Sequence, residues 1–150
     1  MSLLHLIEAH SETFTSIVLL LFAINATVFY VCGRRAERRF VAQDDLRILF
    51  RERGASGHSN KSTLTKLGGA SGVLEVIVTD KELWLKGVWP MFSYIGAMFD
   101  MTHRIPRTNI IECLVQGGTI ELHFSNEAGG ESQVVLELKN PKAFISALDA

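Results

Sequence analysis

The sequence predicts a mainly-β fold with helices: one N-terminal transmembrane helix, then a curved antiparallel sheet or barrel of about seven strands, capped by a C-terminal helix. Three observations carry this. Phe14 to Cys32 holds no charge and is close to the ~20 apolar residues that span a bilayer's hydrocarbon core. After Asn60 the apolar residues recur at period two, as half-buried strands require. After Asn140-Pro141 they recur at helical spacing. The chain accordingly divides into an extracytoplasmic tail (1–13), a transmembrane helix (14–33), a basic juxtamembrane helix and linker (34–60) and a cytoplasmic domain (61–150).

The apolar segment reads FTSIVLLLFAINATVFYVC. Thr15, Ser16 and Thr27 can return their hydroxyls to the helix's own carbonyls, so they are cheap in hydrocarbon. Hydrocarbon offers the Asn25 amide no partner, so it reads either as bonding across to another helix or as a tolerated single polar residue. Every Lys and Arg lies after Cys32, while the first thirteen residues carry only Glu8 and Glu12. A cleaved signal peptide would begin with basic residues and end at a small-residue site. The segment therefore reads as an uncleaved anchor. Arg34, Arg35, Arg38 and Arg39 follow it directly, which expects the N-terminus outside and the domain in the cytoplasm. These arginines would lie at the headgroup level, near anionic lipid. A chain of this kind, with no organelle address, suits a bacterial cytoplasmic membrane.

The formal net charge of −1 is unevenly spread. The stretch 34–53 carries +3, whereas 61–150 carries −2. A mildly acidic domain lacks the basic footprint of a nucleic-acid binder, and the anchor explains the arginines. Cys32 and Cys113 fit neither a zinc spacing nor a redox pair and read as structural thiols. The five histidines show no metal-ligand spacing, so neither cofactor nor metal is expected. No nucleophile elbow, zincin helix or convergent carboxylate pair is visible, so the protein is expected not to be an enzyme.

Glu37 to Arg53 reads as a short amphipathic helix on Phe40, Leu46, Leu49 and Phe50, and Gly54 to Asn60 as a linker by composition. Strands are expected near 62–67, 74–79, 83–86, 101–105, 110–115, 120–124 and 134–138. Thr79-Asp80-Lys81-Glu82, Gln116-Gly117-Gly118 and Asn126 to Gly130 are the turns between them. Asn140 is placed to cap a final helix and Pro141 to open it, with Phe144, Ile145 and Leu148 as the apolar stripe. So many short strands with a single helix favour a curled sheet closed at one end.

LEVIVTDKELWLKG (Leu74 to Gly87) resembles the strand-turn-strand opening of GRAM-type and bacterial pleckstrin-homology-like domains. HRIPRTNI (His103 to Ile110) resembles their step into the next strand, and LKNPKAFISAL (Leu138 to Leu148) their final strand and helix. The resemblance covers about Ser62 to Ala150. It implies a binding or scaffolding module, without enzymatic activity, working at membranes. The sequence departs from phosphoinositide-binding members, which cluster Lys and Arg around the first hairpin. Gly68 to Gly72 stands there instead, beside Lys66 alone, and reads as a flexible turn.

Val88 to Phe99 is the most unusual stretch of the domain, an uncharged loop rich in Met and aromatic residues. Trp89, Met91, Phe92, Tyr94, Ile95, Met98 and Phe99 must be buried somewhere. Three burials are open: the domain's own core, the inner leaflet, or a protein partner. Lys81, Lys86, Arg104 and Arg107, with His103, form a second candidate as a basic patch. The leading expectation is a scaffold that recruits a protein partner at the membrane, with Trp89 to Phe99 as the contact. A lipid-headgroup or inner-leaflet module is the alternative, and an enzyme with an unrecognised site stands behind both.

Overall fold

The computed structural model describes residues 3–40, 46–61, 69–126 and 129–150, with side chains from Thr13 onward except that of Arg39. Helix α1 (Leu3–Glu37) comes first. At 1.5 Å per residue it is about 50 Å long. Its Thr13–Glu37 part is long and apolar enough to cross a membrane, and every residue from Thr13 to Val28 is exposed. The Asn25 amide donates to the Leu21 carbonyl at 2.9 Å, and the Thr27 hydroxyl donates to Ala23 at 2.8 Å. Both polar side chains are thus satisfied within the helix.

A single turn of 3-10 helix at Arg38–Phe40 follows. The sheet is built from β1 (Ile48–Ser59), β2 (Ala70–Thr79), β3 (Glu82–Gly87), β4 (His103–Pro106), β5 (Ile110–Gln116), β6 (Thr119–Ser125) and β7 (Glu131–Glu137). Helix α2 (Pro90–Met98) lies between β3 and β4, and α3 (Pro141–Asp149) closes the chain. All pairings are antiparallel, in the order β4-β3-β2-β1-β7-β6-β5. The expected architecture of an apolar N-terminal helix, a seven-stranded antiparallel sheet and a C-terminal helix is the observed one.

The stretch from Glu37 to Asn60 departs from expectation. The predicted amphipathic helix over 37–53 and linker over 54–60 are replaced, from Ile48 to Ser59, by the central strand of the sheet. The small residues that look like a linker are what the strand needs where the sheet curls. Ala55, Gly57 and Ser59 alternate inward. A Cβ on Gly57 would come within 2.6 Å of the Val135 carbonyl. Gly54 adopts φ +78, a conformation that suits glycine, and register shifts flank Ala55. Such irregularities bend a strand, so β1 pairs with β2 along most of its length and with β7 at its end. The strand expected over 62–67 lies outside the described residues, as does Gly68. Ala70 to Gly72, expected to be part of a flexible turn, open β2 instead, and the Gly72 N–H donates to Ser56 Oγ at 3.0 Å.

The core lies between the sheet and α3. Leu74, Val76, Leu85, Ile120, Leu136 and Phe144 are fully buried there, and the Phe144 ring meets Phe50 edge-on at 5.7 Å. Asn140 and Pro141 occupy the expected positions, but the Asn140 side chain makes no cap bond. The join is held by Glu52 instead, whose carboxylate accepts the backbone N–H groups of Lys139 at 2.7 Å and Asn140 at 3.1 Å.

The other face of β2 and β3 is also covered. Ile77 and Trp84, cross-strand partners, pack with Phe40 and Leu46 from the segment after α1. Beside them Glu75 has a side chain only 1% exposed, yet it meets Arg51 at 2.6 Å, Arg53 at 2.8 Å and Lys86 at 3.3 Å. Burial pushes the Glu75 carboxyl up, but the hydrogen bonds from Arg53 and Arg51 and the Lys86 charge outweigh it, leaving it below its ordinary value. A carboxylate depressed in the folded state binds protons more readily once unfolded, so it stabilises the fold at neutral pH and less so in acid. Stability is expected to fall as pH drops below the ordinary 4.5, and Glu75→Gln should flatten that acid limb. Denaturant titrations of the detergent-solubilised chain from neutral pH downward measure this, and parallel acid limbs would contradict it.

Candidate functional site

The uncharged stretch Val88 to Phe99, expected as a loop, forms α2. Pro90 pre-sets the first helical φ, and Trp89 before it is extended. The helix folds straight back on β3, because a Cβ on Gly87 would fall 2.2 Å from the Ser93 amide. Ser93 Oγ donates to the Gly87 carbonyl at 3.3 Å, and Thr102 Oγ1 donates to the Ser93 carbonyl at 2.9 Å. Ser93 and Gly96 are buried, so the face toward the domain is made of small residues. Asp100, in the left-handed region at φ 55, ends the helix. Its carboxylate accepts from Ser59 Oγ at 3.0 Å and Lys61 Nζ at 3.3 Å, tying the helix end to the end of β1.

The second flank of α2 receives α1. Gly33 is buried, and a Cβ there would stand 2.2 Å from the Pro90 carbonyl oxygen. One turn earlier, the Phe29 ring meets Tyr94 edge-on at 5.5 Å. Among the seven apolar candidates, Phe92, Tyr94, Ile95 and Phe99 are therefore half-buried within the chain, while Trp89, Met91 and Met98 stay exposed. Between the two helices lies an open apolar hollow of about 310 Å³ lined by Tyr30, Trp89, Pro90, Met91 and Phe92. Arg34, Arg35 and Arg38, further along the chain from Tyr30, are exposed. Arg34 Nε donates to Tyr30 Oη at 3.2 Å, with the guanidinium over the Tyr30 ring at 5.6 Å. The side chain of Arg39 lies outside the description.

The basic residues Lys81, Lys86, Arg104 and Arg107 do not converge on an open site. Lys86 turns to Glu75. Arg104 pairs with Glu82 at 2.6 Å and lies over the Trp84 ring at 5.6 Å. The Arg107 guanidinium donates to the Leu148 carbonyl, joining the β4–β5 step to α3. Lys81 sits exposed at the tip of the β2–β3 hairpin. His103 is held against the Asp100 carbonyl at 2.7 Å, and burial lowers its pKa. His123, on the outer face of β6, is raised by hydrogen bonds to Glu131 and Glu121. Burial, helped by the Asp149 charge, pushes the Cys113 thiol up to about 11, which keeps it a poor nucleophile at neutral pH. Among the described residues no three metal-ligating side chains gather.

A second surface escaped the sequence reading. β5 is the outermost strand next to β6, and Ile111 and Val115 on it are 61% and 52% exposed. A groove of about 810 Å³ runs between its end and α3, with Val115, Gly118, Pro141, Lys142 and Ile145 among its walls. Its only sequence signal was that Ile110 to Val115 is more apolar than an exposed edge strand should be. No protein-family model and no curated protein matches the chain.

The Gly33 contact is where the backbones of α1 and α2 meet directly. Gly33→Leu is expected to push α2 off α1, an overpacking cost of ~1–3 kcal/mol. Amide hydrogen exchange over 90–98 should then accelerate on the order of tenfold or more, while the core strands β2 and β6 keep their protection. Unchanged exchange in α2 would show that the two helices do not depend on this contact.

Proposed function

We propose that this chain is a single-pass membrane adaptor whose pleckstrin-homology-like domain, without catalytic activity, recruits a protein partner at the cytoplasmic face. The anchor reading rests on α1, which offers an apolar surface that only lipid or other apolar helices could cover. The basic residues that follow it, and the lack of any before it, favour an outside N-terminus and suit a bacterial cytoplasmic membrane. The pleckstrin-homology-like reading rests on the resemblance over 62–150, and a seven-stranded antiparallel sheet followed by a C-terminal helix is compatible with it.

The observation that carries recruitment is the groove between β5 and α3. An edge strand presents unpaired backbone donors and acceptors, and an extended peptide can add to it as a further strand. The apolar side chains of such a peptide would enter beside Val115 and Ile145. This site is better suited to a partner than most of α2, whose inward residues pack within the chain.

The groove and the orientation are tested together. A photoreactive amino acid replaces Lys142 in the full chain, which is placed in sealed inside-out membrane vesicles and exposed to cytosolic proteins. A discrete protein adduct is expected there and not in right-side-out vesicles, and Val115→Asp should abolish it. Adducts insensitive to Val115→Asp would contradict the groove, and adducts formed only in right-side-out vesicles would contradict the orientation.

A further inference from the structure

We infer that the corner where α1 meets α2 is a second lipid contact, with Trp89 and Met91 seated in the inner leaflet and the hollow beneath them taking an acyl chain. This rests on the reading of α1 as a membrane anchor. If the hydrocarbon core begins near Thr13, about 20 residues of helix carry it to the region of Cys32. At that level Gly33 meets Pro90, and one turn deeper Phe29 meets Tyr94, so α2 opens where acyl chains give way to headgroups and runs antiparallel along the end of the span.

The surface at this level has the chemistry of that boundary. Tyr30 and Val31 on α1 are 56% and 57% exposed, and Trp89 and Met91 are 66% and 45% exposed. The apolar surface of the span thus reaches α2 at the hollow, which Tyr30 lines together with Trp89 and Met91. Tyr and Trp favour the interface because each joins an apolar ring to a polar edge. The hollow is lined by apolar side chains, which suits hydrocarbon and offers water few partners. Arg34 and Arg35, one turn below Tyr30 and Val31, are exposed cations for anionic headgroups. A protein partner would meet this corner only by displacing lipid from a surface that adjoins the span.

The test uses the full chain in liposomes of phosphatidylcholine and phosphatidylglycerol, brominated either near the acyl carbonyl or near the methyl end. Trp84 is buried beneath Phe40, so the difference in quenching between the wild type and Trp89→Phe reports Trp89 alone. Trp89 is expected to be quenched strongly by shallow bromines and weakly by deep ones. No quenching by either, whether its emission is that of water or of a protein interior, would overturn the inference. A Leu19→Trp variant, read against the wild type, separates this failure from failure of the anchor. Deep quenching at position 19 with none at 89 removes only the second contact. Loss of both removes the anchor as well.

Discussion

The close approach of Gly33 to the Pro90 carbonyl determines how the two parts of the chain meet. A Cβ at position 33 would sit 2.2 Å from that oxygen, so only glycine lets the two backbones come this near. The contact places Tyr94 against Phe29 and leaves Trp89 and Met91 on the outside. It also continues into the domain, because α2 is bound to β3 through a second close approach at Gly87 and to β1 through Asp100. The apolar helix thus connects to the sheet through packed surfaces as well as through the chain between Phe40 and Leu46. A domain held in this way would keep one orientation relative to its anchor, and a tethered one would not.

The outer face of the sheet adds to this. Phe40 and Leu46 cover Ile77 and Trp84 immediately after α1, and Arg51, Arg53 and Lys86 surround the Glu75 carboxylate nearby. Glu75 is the buried member of this cluster, while Arg51 and Arg53 reach it from the surface, so stripping the carboxylate of its cations together is more costly than losing one exposed pair. The cluster spans β1, β2 and β3, so it ties their register together. The two proposed contact surfaces lie away from it: the apolar corner at α2, and the groove at the far edge of the sheet by β5. Such separation would let one domain hold a membrane and a partner at the same time.

Much of the fold was legible because its elements have clear periods. β2, β3, β6 and β7 alternate, and α3 carries an apolar stripe behind Asn140-Pro141. β1 was misread because its inward residues are Ala55, Gly57 and Ser59, whose small size is dictated by the curl of the sheet and reads as linker composition. α2 was misread because a uniformly apolar stretch has no period, whether it forms a loop or a helix between two surfaces. The seven candidates there were found by composition, but their division into buried and exposed depended on where α1 docks. The Glu75 cluster needed the register of three strands, and the β5 groove needed the position of α3. Neither is encoded by local spacing. The basic candidates on β3 and β4 failed as a patch for the same reason, since their carboxylate partners stand on neighbouring strands and turns.

Held through Gly33, α1 and the domain move as one body. Double electron–electron resonance on the full chain in liposomes measures this directly, with spin labels on Val31→Cys and Lys142→Cys and with Cys32 and Cys113 replaced by serine. Both labelled positions are exposed. A single narrow distance distribution is expected, broadening when Gly33→Leu is added. A broad distribution in the chain with Gly33 intact would contradict the account and leave the domain as a loosely tethered module.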